Sequence, residues 1–115
     1  MRDVRVYFHD ILSACSAISK FTENKTFADY QADLLLRSGA ERQLGIVGEA
    51  LNQTVKLEPV YAEKITSARR IVDFRNLLIH AYTVVSASTV WSILEVHLPV
   101  LRSEVEVLLA ELNHE

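Results

Sequence analysis

The stretch IVDFRNLLIHAY, residues 71–82, combines an apolar helical repeat with five polar side chains close together. On an ideal helix of about 100° per residue, five of its seven apolar side chains fall within one arc of about 120°. The polar side chains lie outside that arc. The pattern therefore predicts a helix with one core face and one broad polar flank. The predicted core face consists of Ile71, Phe74, Leu77, Leu78 and Ala81, and the polar flank carries Arg75, Asn76, His80 and Tyr82.

The remaining helices are predicted from the same kind of spacing, and with only three Gly and two Pro the chain reads as nearly all helix. Thr26 and Asp29 are spaced as a capping arrangement for a short helical turn. Pro59 is placed to open a helix, and Pro99 predicts a kink near residues 96–98. We expect a single domain, 1–115, folded as an antiparallel up-and-down bundle of four main helices. Their predicted ranges are 3–20, 31–55, 63–82 and a last helix that begins at Ser86 or Ser88 and ends near Leu112.

Gly45 and Gly48 lie inside the second predicted helix, where each costs about 1 kcal/mol of helix propensity relative to Ala. Glycines at this spacing often mark a close approach between two helices. Glu49 follows directly and interrupts an apolar segment, so we expect it to be exposed.

The composition excludes several classes of protein. The chain has 115 residues, of which 50% are hydrophobic and 23% charged, values typical of a folded globular domain. No apolar run approaches the roughly 18 residues of a membrane span, and the charged, amphipathic N-terminus does not resemble a signal peptide. Cys15 is the only cysteine, so an internal disulfide is impossible. We expect a cytoplasmic protein with Cys15 as a small core residue.

The net charge of −3 argues against a protein that coats nucleic acid nonspecifically, because such binding comes from neutralised phosphates. A locally basic cleft is compatible with this charge. The basic and titratable side chains of one 17-residue segment would supply it: Lys64, Arg69, Arg70, Arg75 and His80.

The polar flank suits cleavage of a phosphodiester. Arg75 offers a planar, permanently charged fork for phosphate oxygens and for the charge that grows on them in the transition state. His80 can remove a proton from a ribose 2′-hydroxyl or give one to the leaving oxygen, and Asn76 can orient the His or the phosphate. RNA carries its own nucleophile, and one His without a carboxylate pair makes a poor metal site, so we expect neither metal nor cofactor. Arg75 and His80 lie about 140° apart around the helix, so they would converge in a groove completed by a partner subunit.

These residues resemble a known motif. Arg75-Asn-Leu-Leu-Ile-His80-Ala-Tyr82 matches the Arg-x-x-x-x-His-x-Tyr motif of HepT-like toxins in the HEPN superfamily of helical ribonucleases. The resemblance continues in ERQLGIVGEALNQ (41–53), which is similar to the family's central helix, and in TVWSILEVHLPVL (89–101), similar to its C-terminal segment. It therefore covers most of the chain.

The resemblance implies a homodimeric, metal-independent endoribonuclease with Arg75 and His80 as the essential pair and Asn76 as a polar assistant. It also implies a toxin–antitoxin system in which a minimal nucleotidyltransferase, MntA, neutralises the toxin by transferring AMP to the motif tyrosine, here Tyr82. A phenol that bears AMP would add bulk and negative charge where RNA must dock. Ala81 occupies a position that is often Gly in the family, which bears on access to Tyr82.

Other readings of individual residues stay open. Arg69 and Arg70 either extend a phosphate-binding surface or form a solvated helix flank. Trp91 is expected in the core or at an interface. The other histidines, His9, His97 and His114, are expected to be structural or to face solvent.

Two alternative functions also remain. One is a non-catalytic helical partner that binds substrate for a nucleotidyltransferase. The other is a structural dimer whose motif is vestigial. A binding partner of the first kind should lack the Arg/His pair that this chain has.

Overall fold

The fold is given by a computed structural model that describes residues 3–80 and 85–114, with the backbone alone for His80. Within these ranges the chain is helical and contains no strand, which confirms the all-α prediction. Seven α-helices and one π-helical segment follow each other. They are α1 Val4–Thr22, α2 Phe27–Ala32, α3 Leu34–Leu57, α4 Tyr61–Lys64, α5 Ala68–His80, α6 Ala87–Ser92, the π-helical segment Ile93–His97, and α7 Leu98–Asn113.

Helix α1 forms where the apolar repeat predicted it. Its N-cap is Asp3, whose carboxylate accepts a hydrogen bond of 2.9 Å from the backbone N–H of Arg5. Cys15 is 1% exposed on the buried stripe, together with Phe8 and Ile11. Burial raises the pKa of the Cys15 thiol to about 11, so the thiol is neutral at physiological pH and behaves as a small core residue.

The second predicted helix begins differently from expectation. Thr26 and Asp29 form a reciprocal capping box, as predicted, with hydrogen bonds of 2.9 and 3.2 Å. The box starts α2, which then stops at Asp33 in an extended conformation. Because the Asp33 side chain accepts from the Leu36 N–H at 3.1 Å, it caps a new helix, α3. The prediction of a single helix over 31–55 was therefore wrong at the start of the helix.

The prediction of a single helix over 63–82 was also wrong. Buried Ile65 is extended and ends the short α4, and α5 begins at Ala68. A residue of another helix stabilises this break between α4 and α5. The N–H and the hydroxyl of Thr66 donate hydrogen bonds of 3.2 and 2.7 Å to the carboxylate of Glu104 in α7. Glu104 lies 38 residues away, so local spacing gives no sign of it. The predicted C-terminal end at Tyr82 lies outside the described residues.

The last helical segment departs from regular α-helical hydrogen bonding just before Pro99, beside the position where a kink was predicted. Proline has no N–H and its ring crowds the preceding turn, which disfavours regular α-helical bonding just before it. The π-helical segment Ile93–His97 accommodates this, and α7 then starts with Pro99 in its first turn. Ser86 occupies the N-cap position of α6, but its hydroxyl bonds to that of Ser88 at 2.7 Å and does not cap the helix.

Packing places α3 at the centre of the bundle. It contacts both α1 and α5, while α7 packs on α1 and α2 packs on α6. Trp91 packs against the fully buried Tyr30, with ring centroids 5.2 Å apart, so it has the packing role predicted for it. Burial raises the pKa of Tyr30 to about 12. Along the described ranges, none of the helices combines the length and apolarity that a membrane crossing requires.

Candidate active site

The core face of α5 is rotated relative to its prediction. Ile71 and Phe74 are buried, as expected, but Leu77 is 47% exposed, so its placement in the core was wrong. The side chain of Arg75 is instead only 19% exposed. The rotation follows from α3, which packs on the side of α5 that carries Ile71 and Arg75.

Gly48 of α3 permits this packing. A Cβ atom placed on Gly48 would lie 2.9 Å from Cγ of Arg75 and 3.2 Å from the carbonyl oxygen of Ile71. Any side chain there would overlap α5, because such distances are shorter than van der Waals contact. A Cβ on Gly45 would meet nothing within 4 Å. The predicted close approach therefore occurs at Gly48 and does not occur at Gly45.

The guanidinium of Arg75 is held between two acceptors. Its Nη2 pairs with Oε2 of Glu49, and its Nη1 donates to Oδ1 of Asn76 at 2.8 Å. The other carboxylate oxygen of Glu49 accepts from Nε2 of Gln53 at 2.9 Å. Nε of Arg75 is buried without a hydrogen-bond partner among the described residues. The structure thus joins two predicted site residues, Arg75 and Asn76, and adds Glu49.

Glu49 was expected merely to be exposed, and that description missed its role. Its side chain is 44% exposed, yet it forms the ion pair with Arg75 across 26 residues of sequence. The available signal was its position directly after Gly48: a carboxylate next to the point of closest helix approach can reach a cation on the facing helix.

Arg75 lines an open groove between α1, α3 and α5 with a volume of about 620 Å³. Glu49 and Gln53 line it from α3, and Tyr7 lines it from α1. Arg42 provides a second cation at the same groove, and the carboxylates of Asp10, Glu41 and Glu49 also line it, so acids outnumber bases there. A phosphate that enters would meet an Arg75 guanidinium that is already held by Glu49 and Asn76.

His80 is the last residue of α5 that the structure describes. Its position is about 7.5 Å along the helix axis from Arg75 and about 140° around it. Ile79, its neighbour, lines the groove. The side chain of His80 and all of Tyr82 and Ala81 lie outside the described residues, so the predictions for them stay predictions.

Arg69 and Arg70 lie away from the groove of Arg75. The Arg69 side chain is 96% exposed and approaches Asp73 to 4.0 Å, one turn along the helix. An ion pair this exposed contributes little to stability. Arg70 lines a second groove, of about 590 Å³, on the side of α5 that faces α6 and the π-helical segment. Within one chain, Arg69 is therefore part of a solvated flank.

The remaining histidines agree with their expected roles. Nδ1 of His97 is 3.2 Å from the hydroxyl of Ser67, a contact that ties the π-helical segment to the start of α5. His9 and His114 are exposed. The part of the chain that the structure describes contains no cluster of three or more His, Cys, Asp or Glu side chains suited to a metal ion.

Comparison with known proteins assigns this arrangement to a family. Residues 11–108 match the family described as ribonuclease HepT-like, and the chain therefore belongs to that family of ribonucleases. "Putative RNase MJ1380" of Methanocaldococcus jannaschii is 28% identical over 108 residues, which cover 92% of this chain and 96% of that protein. "Putative RNase TTE0752" of Caldanaerobacter subterraneus is 28% identical over 111 residues, covering 95% and 96%. No solved structure gives a significant match.

A third relative has a different organisation. "Gamma-glutamylcyclotransferase and putative RNase MJ0434" of Methanocaldococcus jannaschii is 26% identical over 114 residues. The match covers 97% of this chain but 50% of that protein, whose name includes a second activity. The helical domain is thus also similar to one part of a longer protein.

Proposed function

We propose that the protein is a metal-independent endoribonuclease in which Arg75 and His80 act on one phosphodiester of RNA. The observation that carries the proposal is the Arg75 guanidinium, fixed by Glu49 and Asn76 at the edge of an open groove. His80 lies on the same helix, five residues further along the chain. Family membership supports the choice of RNA as substrate.

The proposed reaction uses the 2′-hydroxyl of the RNA as nucleophile. A base, His80, takes its proton while the 2′ oxygen attacks phosphorus. The bond from phosphorus to the 5′ oxygen breaks, and that oxygen takes up a proton. The products are a 2′,3′-cyclic phosphate and a 5′-hydroxyl. Arg75 stabilises the negative charge that builds on the phosphate oxygens in between.

A second copy of the chain would complete the site, because one chain offers one motif histidine whereas the reaction needs a base and an acid. The outer arc of α5 is suited to such a contact. Leu77 and Ile79, 47% and 55% exposed, flank the exposed Asn76. Pairing two α5 helices along this arc would cover both apolar side chains and bring two motifs together.

The reaction is tested with purified protein and an RNA oligonucleotide in EDTA. We expect cleavage to continue in EDTA and to leave 2′,3′-cyclic phosphate ends. We expect no cleavage of an oligonucleotide in which a single 2′-deoxynucleotide replaces the nucleotide 5′ of the cut. Cleavage of the deoxy-substituted linkage would contradict the proposed nucleophile. Binding of RNA without cleavage would favour the reading as a non-catalytic partner.

We further propose that the protein is the toxin of a toxin–antitoxin pair, neutralised when a minimal nucleotidyltransferase transfers AMP from ATP to Tyr82. The sequence of the motif supports this, because Tyr82 stands two positions after His80. A phosphodiester-linked AMP there would place negative charge near the phosphate site of Arg75.

Modification is tested by intact mass after co-expression with a nucleotidyltransferase encoded beside this gene. We expect mass added in multiples of one adenylyl group, and none on the Tyr82→Phe variant. Tyr61→Phe is the control, because Tyr61 is 6% exposed in the core. An unchanged mass shift in Tyr82→Phe would exclude Tyr82 as the acceptor.

A further inference from the structure

Glu49 stands out in the site because nothing in the motif requires a carboxylate. It comes from another helix, α3, and it contacts the one motif side chain whose charge is permanent. We propose that Glu49 is a positioning residue, which fixes the plane of the Arg75 guanidinium for the transition state. This proposal rests on the proposed ribonuclease activity.

The first support is that the carboxylate is itself held. Oε1 accepts from Gln53, one turn further along α3, and Oε2 accepts from Arg75. Each oxygen thus has its own donor, so the carboxylate plane is set by the helix that carries it. A freely rotating carboxylate would attract the Arg75 guanidinium but would not fix its orientation.

The second support is the division of the Arg75 donors. A guanidinium has five N–H groups: one on Nε and two on each terminal nitrogen. Glu49 engages Nη2, Asn76 engages Nη1, and Nε is buried. One N–H on each terminal nitrogen therefore remains for phosphate oxygens. The direction of these two N–H groups is fixed because the guanidinium is held by two acceptors on different helices.

The third support is the packing of the Arg75 stem. Its Cβ and Cγ lie against Gly48, the residue before Glu49. One turn of α3 thus sets both the start and the end of the Arg75 side chain. Donors that are fixed before the reaction stabilise developing charge more than donors that must be oriented during it.

Glu49 has an opposite effect on ground-state binding, because its charge offsets that of Arg75 and reduces the attraction for phosphate. A positioning role therefore predicts that kcat and affinity respond differently. Removing the Glu49 charge should slow the chemical step while RNA binds as well as before or more tightly. If Glu49 had only a structural role, its loss would lower the amount of folded protein but would leave the cleavage rate and the RNA affinity of the folded fraction unchanged.

The test compares wild type with Glu49→Gln in single-turnover RNA cleavage, with affinity measured on RNA blocked by a 2′-deoxynucleotide at the cut. We expect the rate to fall about 10- to 100-fold, less than the roughly 10²- to 10³-fold cost of losing a preorganised donor itself, while the dissociation constant stays equal or decreases. The control is Glu106→Gln, which removes a comparable Arg–Glu pair, 3.2 Å from Arg102, on the remote α7. It should change the rate less than about twofold, as expected for an exposed pair.

Repeating Glu49→Gln in an Arg75→Lys background separates an effect through Arg75 from an independent one. A lysine has no planar fork to orient, so we expect the Glu49→Gln factor to shrink at least fivefold in that background. Equal factors in both backgrounds, or a wild-type rate in Glu49→Gln, would overturn the inference while leaving the ribonuclease proposal intact. A wild type that cleaves no RNA would instead remove the proposed function itself, and the inference with it.

Discussion

His80→Ala is expected to lower the rate of RNA cleavage by about 10²- to 10⁴-fold, the usual contribution of a positioned acid–base group. The imidazole is the motif group able to exchange a proton near neutral pH, because the Arg75 guanidinium stays charged at all relevant pH values. The rate is measured with a defined RNA under single-turnover conditions. Dimerisation and binding to the antitoxin are expected to be unchanged.

The matched control is His9→Ala. His9 is exposed on α1 and lines a different groove from Arg75, so its replacement should leave the rate unchanged. Equal losses in the two variants would point to general damage to the fold. Full activity in His80→Ala would exclude the imidazole from the reaction and leave a nuclease of another mechanism.

Gly48→Ala is expected to reduce the free energy of unfolding by about 1–3 kcal/mol, the usual range for overpacking a filled interior. Two effects compete. Alanine favours the helical state over glycine by about 1 kcal/mol. The added methyl would also meet Cβ and Cγ of Arg75 and the Ile71 carbonyl, and these atoms lie in or next to the backbone of α5 and cannot swing away. The clash should therefore dominate.

Gly45→Ala is the control for Gly48→Ala, because both glycines lie in α3 and only their surroundings differ. At Gly45 the propensity gain acts alone, and we expect stability to rise by up to about 1 kcal/mol. Both variants are compared by urea unfolding, with the slope checked for constancy. If the two variants shifted in the same direction, the close contact between α3 and α5 would be wrong.

Local signals in the sequence predicted local structure well. The capping box of Thr26 and Asp29 involves four consecutive residues, and it forms as expected. Pro99 marked the irregular, π-helical segment before α7 because the missing N–H acts on the turn beside it. The apolar repeat around the motif also predicted a helix through residues 68–80, although its start and its core face were placed wrongly.

Contacts between distant residues account for the errors in and around α5, whereas the break before α3 comes from the local cap by Asp33. The break before α5 depends on Glu104, which binds Thr66 from another helix. The orientation of α5 depends on Gly48, because the glycine lets α3 pack close to Arg75 and thereby leaves Leu77 exposed. Glu49 could not be linked to Arg75 before these two helices were placed side by side. A single sequence contains no information about such pairs beyond the residue types.

The pairing of Arg75 with Glu49 also affects how RNA binding responds to ionic strength. Each phosphate that a protein neutralises on single-stranded RNA releases counterions and contributes about −0.7 to the slope of log affinity against log salt concentration. In the free protein the charge of Arg75 is already balanced internally, and the chain as a whole carries −3. Docking should therefore release few ions. With one such phosphate contact, a tenfold rise in salt concentration should weaken RNA binding by only about fivefold.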